Sequence, residues 1–341
     1  MSRIKKLKRL CFSRPDKTTI ALDIPENLSQ QLINLINFAD YSVHIIKANR
    51  TIAESEYSII ELESAGTVGY LIPSESILSE ENPNNKNIHY AAYSLIAAAI
   101  ICENSFKGNY SLAHKDHANA SSAPMVFAEN SFYLVTWNIK IPDHTNLPKN
   151  YAIYFASKGL TFSPDQTQPL ALTAPQQLKG SPLRIKKTKD LPDYIVTILT
   201  ELIPCTENPF LRFFYIYQVI EFLMSDEFNA RVQSLKIKFG ATATHSVTDL
   251  KDILKDFQKA TKEDSRINSV LCPACPTTGI SAEKILTTLN IQHTEMTFAD
   301  KIYKIRNTLF HDYQRVHPYM ESMSTLSDNL FTYLIEKKMP Y

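Results

Sequence analysis

The sequence predicts an α+β domain followed by an all-α helical bundle, and three observations predict it. Up to about residue 160, strand-like alternation and helical periodicity follow one another in short stretches. Between Leu160 and Pro192, prolines recur at 164, 169, 175, 182 and 192, a density that helix interiors and central strands do not tolerate. Beyond Pro192 the apolar residues follow the helical period. The boundary is placed in the proline-rich stretch, next to the basic run Arg184–Lys189, which gives domains 1–183 and 184–341. A chain of 341 residues is long for a single core and suits two.

The first domain reads as follows. Met1 to Cys11 is basic but leads into no apolar segment, so it reads as a solvated tail and not as a secretory signal. Ile20–Ile24 is a short strand. Pro25 opens a helix in which Leu28, Leu32, Leu35 and Ile36 form a stripe. Tyr57–Glu63 and Thr67–Pro73 form a hairpin across Ser64-Ala65-Gly66. The Asn-rich segment 82–87 is a loop, and the alanine-rich run 91–101 is a buried helix. Tyr133, Val135, Trp137, Ile139 and Ile141 alternate as in a half-buried strand. A further strand is expected at Tyr151–Ala156.

In the second domain, Tyr194–Ile203 is a helix. Asn208-Pro209 is a good N-cap and first-turn pair for a helix running to about Met224. That helix is apolar almost all round except at Arg212, Gln218 and Glu221, so it belongs at a bundle centre. Further helices are expected at 249–262, 281–289, 298–313 and 320–338.

Composition excludes several function classes. A net charge of +1 advertises no strong field for nucleic acid, so any RNA contact must come from a local patch. Seven glycines against 18 prolines, with no nucleotide-binding fingerprint, argue against phosphate loops. Five scattered cysteines (Cys11, Cys102, Cys205, Cys272, Cys275) fit reduced thiols and a cytoplasmic protein. The most apolar runs are too short to span a bilayer, so no membrane partner is expected.

The residues that carry chemistry lie in Lys301–Asp312. In an ideal helix Phe298, Ile302, Ile305 and Leu309 make one apolar stripe. Asn307 and His311, four apart, fall roughly opposite, with Arg306 between the two faces and Tyr303 and Phe310 flanking. A guanidinium grips phosphate oxygens in a planar fork, and an imidazole exchanges protons near neutral pH. Together these groups can do acid–base chemistry on a phosphodiester with no metal or cofactor. The ordinary reading of the same residues is the solvated face of a bundle helix. Glu221, in the most apolar helix, needs a partner; Arg306 is one candidate, and any other basic residue of the bundle is another. Lys301, Lys304 and Arg315 share the motif helix and could guide phosphates or simply face water.

The Arg306-Asn307-x-x-x-His311 string, preceded by the aromatic-rich helix Phe213–Leu223, resembles the HEPN superfamily. More narrowly it resembles the C-terminal HEPN domains of prokaryotic abortive-infection and anti-phage proteins. The resemblance covers roughly residues 190–341. It implies a metal-independent endoribonuclease that cleaves single-stranded RNA, tRNA among the candidates, to 2′,3′-cyclic phosphate and 5′-hydroxyl ends. His311 would move the proton, Arg306 would stabilise the phosphate, Asn307 would orient His311 or hold a phosphate oxygen, and Glu221 would support the set. It further implies a homodimer with Tyr303 and Phe310 in the interface, and an N-terminal domain that senses a phage-derived trigger or a regulatory protein. The alternative is a non-catalytic HEPN module that dimerises or binds RNA or nucleotides.

Two other clusters are weaker. Cys272-Pro273-Ala274-Cys275 offers two metal ligands and His293 a third, but zinc needs four. His114-Lys115-Asp116-His117 resembles half a metal site in a Ser/Ala/Asn loop.

Overall fold

The computed structural model describes residues 9–13, 19–24, 28, 30–48, 58–62, 65–78, 86–106, 131–141, 143–163, 183–185, 191–240, 246–273 and 275–339. The chain divides into two compact units, up to Cys205 and from Thr206 to Pro340.

The first unit opens with the antiparallel pair β1 (Arg9–Ser13) and β2 (Thr19–Asp23). The basic start therefore runs into a strand, while residues 1–8 lie outside the described ones. After α1 (Gln30–Leu35) come β3 (Tyr41–Ala48), β4 (Ser58–Leu62), β5 (Gly66–Pro73), α2 (Ile88–Phe106) and β6 (Ser131–Trp137). The unit continues with α3 (Leu147–Ser157), β7 (Leu160–Phe162), β8 (Leu183–Ile185) and α4 (Asp193–Thr197). From α4 the chain passes through a π turn (Ile198–Leu202) into α5 (Ile203–Cys205). Six strands form one mixed sheet in the order β7-β3-β6-β5-β4-β8, antiparallel except for β4 beside β8.

The pleat sends alternate residues to opposite faces. Tyr133 and Val135 join α2 in one core, while Phe132 and Leu134 join α3 in the other. β6 is thus buried on both faces rather than half-buried, and it stops at Trp137. Ile139, 72% exposed, sits in a 3-10 turn after it.

The strand expected at Tyr151–Ala156 is the helix α3. Pro148 fits its first turn, and Leu147, Tyr151, Tyr154 and Phe155 share one buried side, a helical spacing that aromatic content disguised. The expected stripe through Leu35 also fails. α1 is described only from Gln30, and Leu35 is 80% exposed. The 58–73 hairpin forms, turning at Gly66 with φ +65°. The proline-rich stretch supplies the two edge strands, β7 and β8, where a lost ladder donor costs least. Because β8 pairs with β4, the first unit extends past residue 183 and closes only after α5.

The described residues of the second unit form helices and connecting turns and no strand: α6 (Pro209–Gly240), α7 (Val247–Thr261), α8 (Glu263–Val270), α9 (Pro276–Thr288), α10 (Phe298–His311), α11 (Tyr313–Val316) and α12 (Met320–Tyr333). Asn208 caps α6, its Oδ1 accepting from the backbone N–H of Phe210 at 3.0 Å and Leu211 at 3.2 Å. The helix runs 16 residues beyond Met224, its far half more polar than the apolar run that defined it in the sequence. Phe213, Ile216, Tyr217, Val219 and Ile220 are almost fully buried. Arg212, 2% exposed, reaches α12, where its Nη2 lies 3.2 Å from Asp328 Oδ1 and 2.6 Å from Ser324 Oγ. No helix among the described residues is long and apolar enough to cross a membrane.

A buried pair broken on one side leaves an uncompensated charge, whereas apolar replacement of similar volume is often tolerated. Asp328→Ala is therefore expected to lower the urea-unfolding free energy by about 3 kcal/mol. Arg212→Met is expected to cost clearly less, and an equal loss for both would remove the buried charge as the cause.

Candidate functional site

The motif helix α10 is held at its start by a capping box. Thr297 Oγ1 accepts from the Asp300 N–H at 3.1 Å, and Asp300 Oδ2 accepts from the Thr297 N–H at 3.0 Å. Its apolar stripe, Phe298, Ala299, Ile302, Ile305 and Leu309, is buried as the spacing predicts. That burial fixes the rotation of the helix and turns Tyr303, Arg306, Asn307 and Phe310 away from the core.

Arg306 is the hub of this second face. Its Nη1 donates to Asn307 Oδ1 at 3.0 Å, and its Nη2 lies 3.6 Å from Glu221 Oε1 on α6. The second carboxylate oxygen of Glu221 accepts from Gln218 Nε2 at 3.0 Å. The guanidinium carbon sits 4.6 Å from the ring centre of Phe310 and 5.4 Å from that of Tyr217, within cation–π range. Its Nε is sealed from water without a hydrogen-bond partner, as is the Tyr217 hydroxyl. Burial pushes the Tyr217 hydroxyl well above its usual pKa; Arg306 opposes this in part, and Glu263, Glu221 and Tyr303 add to the rise.

The flanking aromatics are placed differently from each other. Phe310 is 47% exposed and packs on Phe214 with ring centres 5.6 Å apart. Tyr303 is half-buried, its hydroxyl donating to Glu263 Oε2 at 3.3 Å.

The structure thus joins Arg306, Asn307 and Glu221 into one group. His311 is not hydrogen-bonded into it. It is the last residue of α10, exposed, and makes no hydrogen bond with the described residues. The Asn307 oxygen, a candidate to orient His311, is taken by Arg306.

Of the nearby bases, Lys301 is paired with Glu283 at 2.6 Å, while Lys304 is exposed. Arg315 does not share the motif helix. α10 stops at His311, and Arg315, in α11, donates to the Leu289 carbonyl. Tyr217 was not singled out in the sequence, and Gln218 only as a polar exception in the apolar helix; both lie one turn before Glu221 on the same helix.

Among the described residues no group of three or more His, Cys, Asp or Glu side chains could hold an ion. Cys272 and Cys275 are free thiols. Burial pushes the Cys275 thiol up, but hydrogen bonds from the hydroxyls and backbone N–H groups of Thr277 and Thr278 outweigh it and leave its pKa below the usual value. His293 is engaged locally, Nδ1 donating to the Ile291 carbonyl at 2.9 Å. His114 to His117 lie outside the described residues.

Compared with protein-family models, curated proteins and solved structures, the chain matches none.

The Glu221–Arg306 pair is partly open to water, at 40% and 28% side-chain exposure, so solvent screens it. Glu221→Gln is expected to change the unfolding free energy by less than about 1 kcal/mol. Arg306→Ala also removes packing on two rings and is expected to cost about 1–2 kcal/mol. Chemical denaturation of both variants checks the ranking; a costlier Glu221→Gln would make the ion pair, not the stacking, the main restraint.

Proposed function

We propose that the second unit is a HEPN-like endoribonuclease domain that cleaves single-stranded RNA without a metal. The observation that carries the reading is the Arg306 guanidinium, stacked on Phe310 and Tyr217 and braced by Asn307 and Glu221, with His311 one turn further along the same helix. In the proposed reaction the ribose 2′-oxygen forms a bond to phosphorus as its proton leaves to a base. The bond from phosphorus to the 5′-oxygen breaks, and that oxygen takes up a proton. His311 exchanges the proton, and Arg306 stabilises the extra charge on the phosphate oxygens. The products carry a 2′,3′-cyclic phosphate and a 5′-hydroxyl. By the same resemblance, the protein acts in the cytoplasm as a toxin or in anti-phage defence, and its first unit receives a phage-derived trigger or a regulatory protein.

His311, exposed and without a hydrogen bond, supports a site completed by a second copy of the chain, with Phe310 and Tyr303 beside the two-fold axis. The second reading, a non-catalytic dimerisation or RNA- or nucleotide-binding module, is favoured by the lack of a hydrogen bond from His311 to Arg306 or Asn307.

RNA incubated in EDTA separates the two. The enzyme is expected to cut it and leave cyclic-phosphate ends, and His311→Ala and Arg306→Ala are each expected to lose about two to four powers of ten while staying folded. Asn307→Ala is expected to lose less, since water can replace an orienting amide in part. Full cleavage by folded His311→Ala, or cleavage abolished by EDTA, would falsify this assignment. Light scattering is expected to give a dimer, and a strict monomer in both resting and activated forms would remove the two-copy site.

A further inference from the structure

A cavity of about 220 Å³ opens in the first unit. It lies where the edge strand β7 ends against β3. Just past β7, the Ser163 N–H donates to the Ile45 carbonyl at 3.0 Å. Pro148 from the first turn of α3, together with Phe162, gives it apolar walls. The remaining lining includes Thr200 and Glu201, both in the π turn. π turns are rare, costly in backbone geometry, and concentrated at functional sites.

Two polar groups at this cavity are unanswered. His44, on β3, packs edge-on against Phe162 with ring centres 5.9 Å apart, and its Nε2 is sealed from water without a hydrogen-bond partner among the described residues. An orphaned buried polar atom is costly and persists in a fold only when something offsets that cost. Glu201 is exposed and has no ion-pair partner among the described residues. Burial lowers the His44 pKa to about 4, with His144 pushing the same way, so His44 is a neutral hydrogen-bonding group at physiological pH. Glu201 is then the only formal charge among the described lining residues.

We propose that this cavity binds a small organic ammonium ion with a hydrogen-bonding tail. Its charge pairs with Glu201, its apolar body lies against Pro148 and Phe162, and its tail meets the His44 imidazole. Turning the ring about χ2, a soft torsion, presents a nitrogen to the tail. An anion is disfavoured, because the lining offers it a carboxylate and no cation. The site uses residues 44–201 alone and does not rest on the ribonuclease reading, which can fail without it.

Calorimetry on the full chain with three probes tests the proposal. Tyramine carries the ammonium, the ring and a hydroxyl; phenethylamine lacks the hydroxyl; 3-(4-hydroxyphenyl)propionate replaces the ammonium with a carboxylate. Tyramine is expected to bind saturably, phenethylamine about tenfold more weakly, and the propionate not at all. Glu201→Gln, an exposed change that leaves the core intact, is expected to weaken tyramine about tenfold. His44→Phe is expected to abolish the difference between tyramine and phenethylamine. Absence of saturable tyramine binding, equal binding of the propionate, or tyramine binding unaffected by Glu201→Gln overturns the proposal, whatever the fate of His44→Phe.

Discussion

The second unit is organised by two charges near the start of its longest helix. α6 carries Arg212 and Glu221 in a mostly apolar run, and neither charge is left unanswered. Arg212 is met by Asp328 on α12, and Glu221 by Arg306 on α10. Apolar packing is roughly indifferent to small slides and rotations between helices, whereas a charge in a poorly hydrated place accepts only a few arrangements. The two ion pairs therefore tie two further helices to α6, each at a defined height.

These ties differ in kind. At 2% exposure, Arg212 gains from Asp328 what it loses in water, and breaking the pair strands a buried charge. Arg306 and Glu221 remain in contact with solvent, and their separation of 3.6 Å is loose for a charge-assisted hydrogen bond. That pair contributes little stability. Its consequence is positional: with Phe310 and Tyr217 beneath it and Asn307 beside it, the guanidinium is held in one orientation. A side chain with so many freely rotating bonds otherwise loses considerable entropy on gripping an anion.

How much of this was legible in the sequence depends on whether the pattern was local. The stripe Phe298, Ile302, Ile305, Leu309 and the Asn208 cap depend on residues within a turn or two of each other, and both appear as read. The partner of Glu221 was one of two open possibilities, because a charge in an apolar helix announces that it needs a partner without saying which. The first unit was harder. Tyr151, Tyr154 and Phe155 are residues that strands favour, yet they lie on a helix because the neighbouring sheet face needed a cover. Likewise β6 alternates in the sequence only weakly, since the cores formed with α2 and α3 bury both of its faces. The cavity beside His44 had no sequence signal. Its lining comes from residues more than 150 positions apart, brought together by the pairing of β3 with β7 and by the π turn.

The looseness of the Glu221–Arg306 pair bears on the proposed chemistry. A phosphate approaching Arg306 competes with a carboxylate for the same donors, and the guanidinium cannot serve both in full. Were Glu221 bound to Arg306 as tightly as a short bidentate pair, that competition would cost several kcal/mol in a site sheltered from water. At 3.6 Å and partly hydrated, with Gln218 already holding its other oxygen, Glu221 can yield the guanidinium at small cost. The Phe310 and Tyr217 rings lie within cation–π range of the guanidinium carbon and do not take up its N–H groups, so they do not compete with an anion for them. The arrangement thus lets Arg306 exchange one acceptor for another without losing its orientation, which is what a phosphate-stabilising arginine with a resting partner requires.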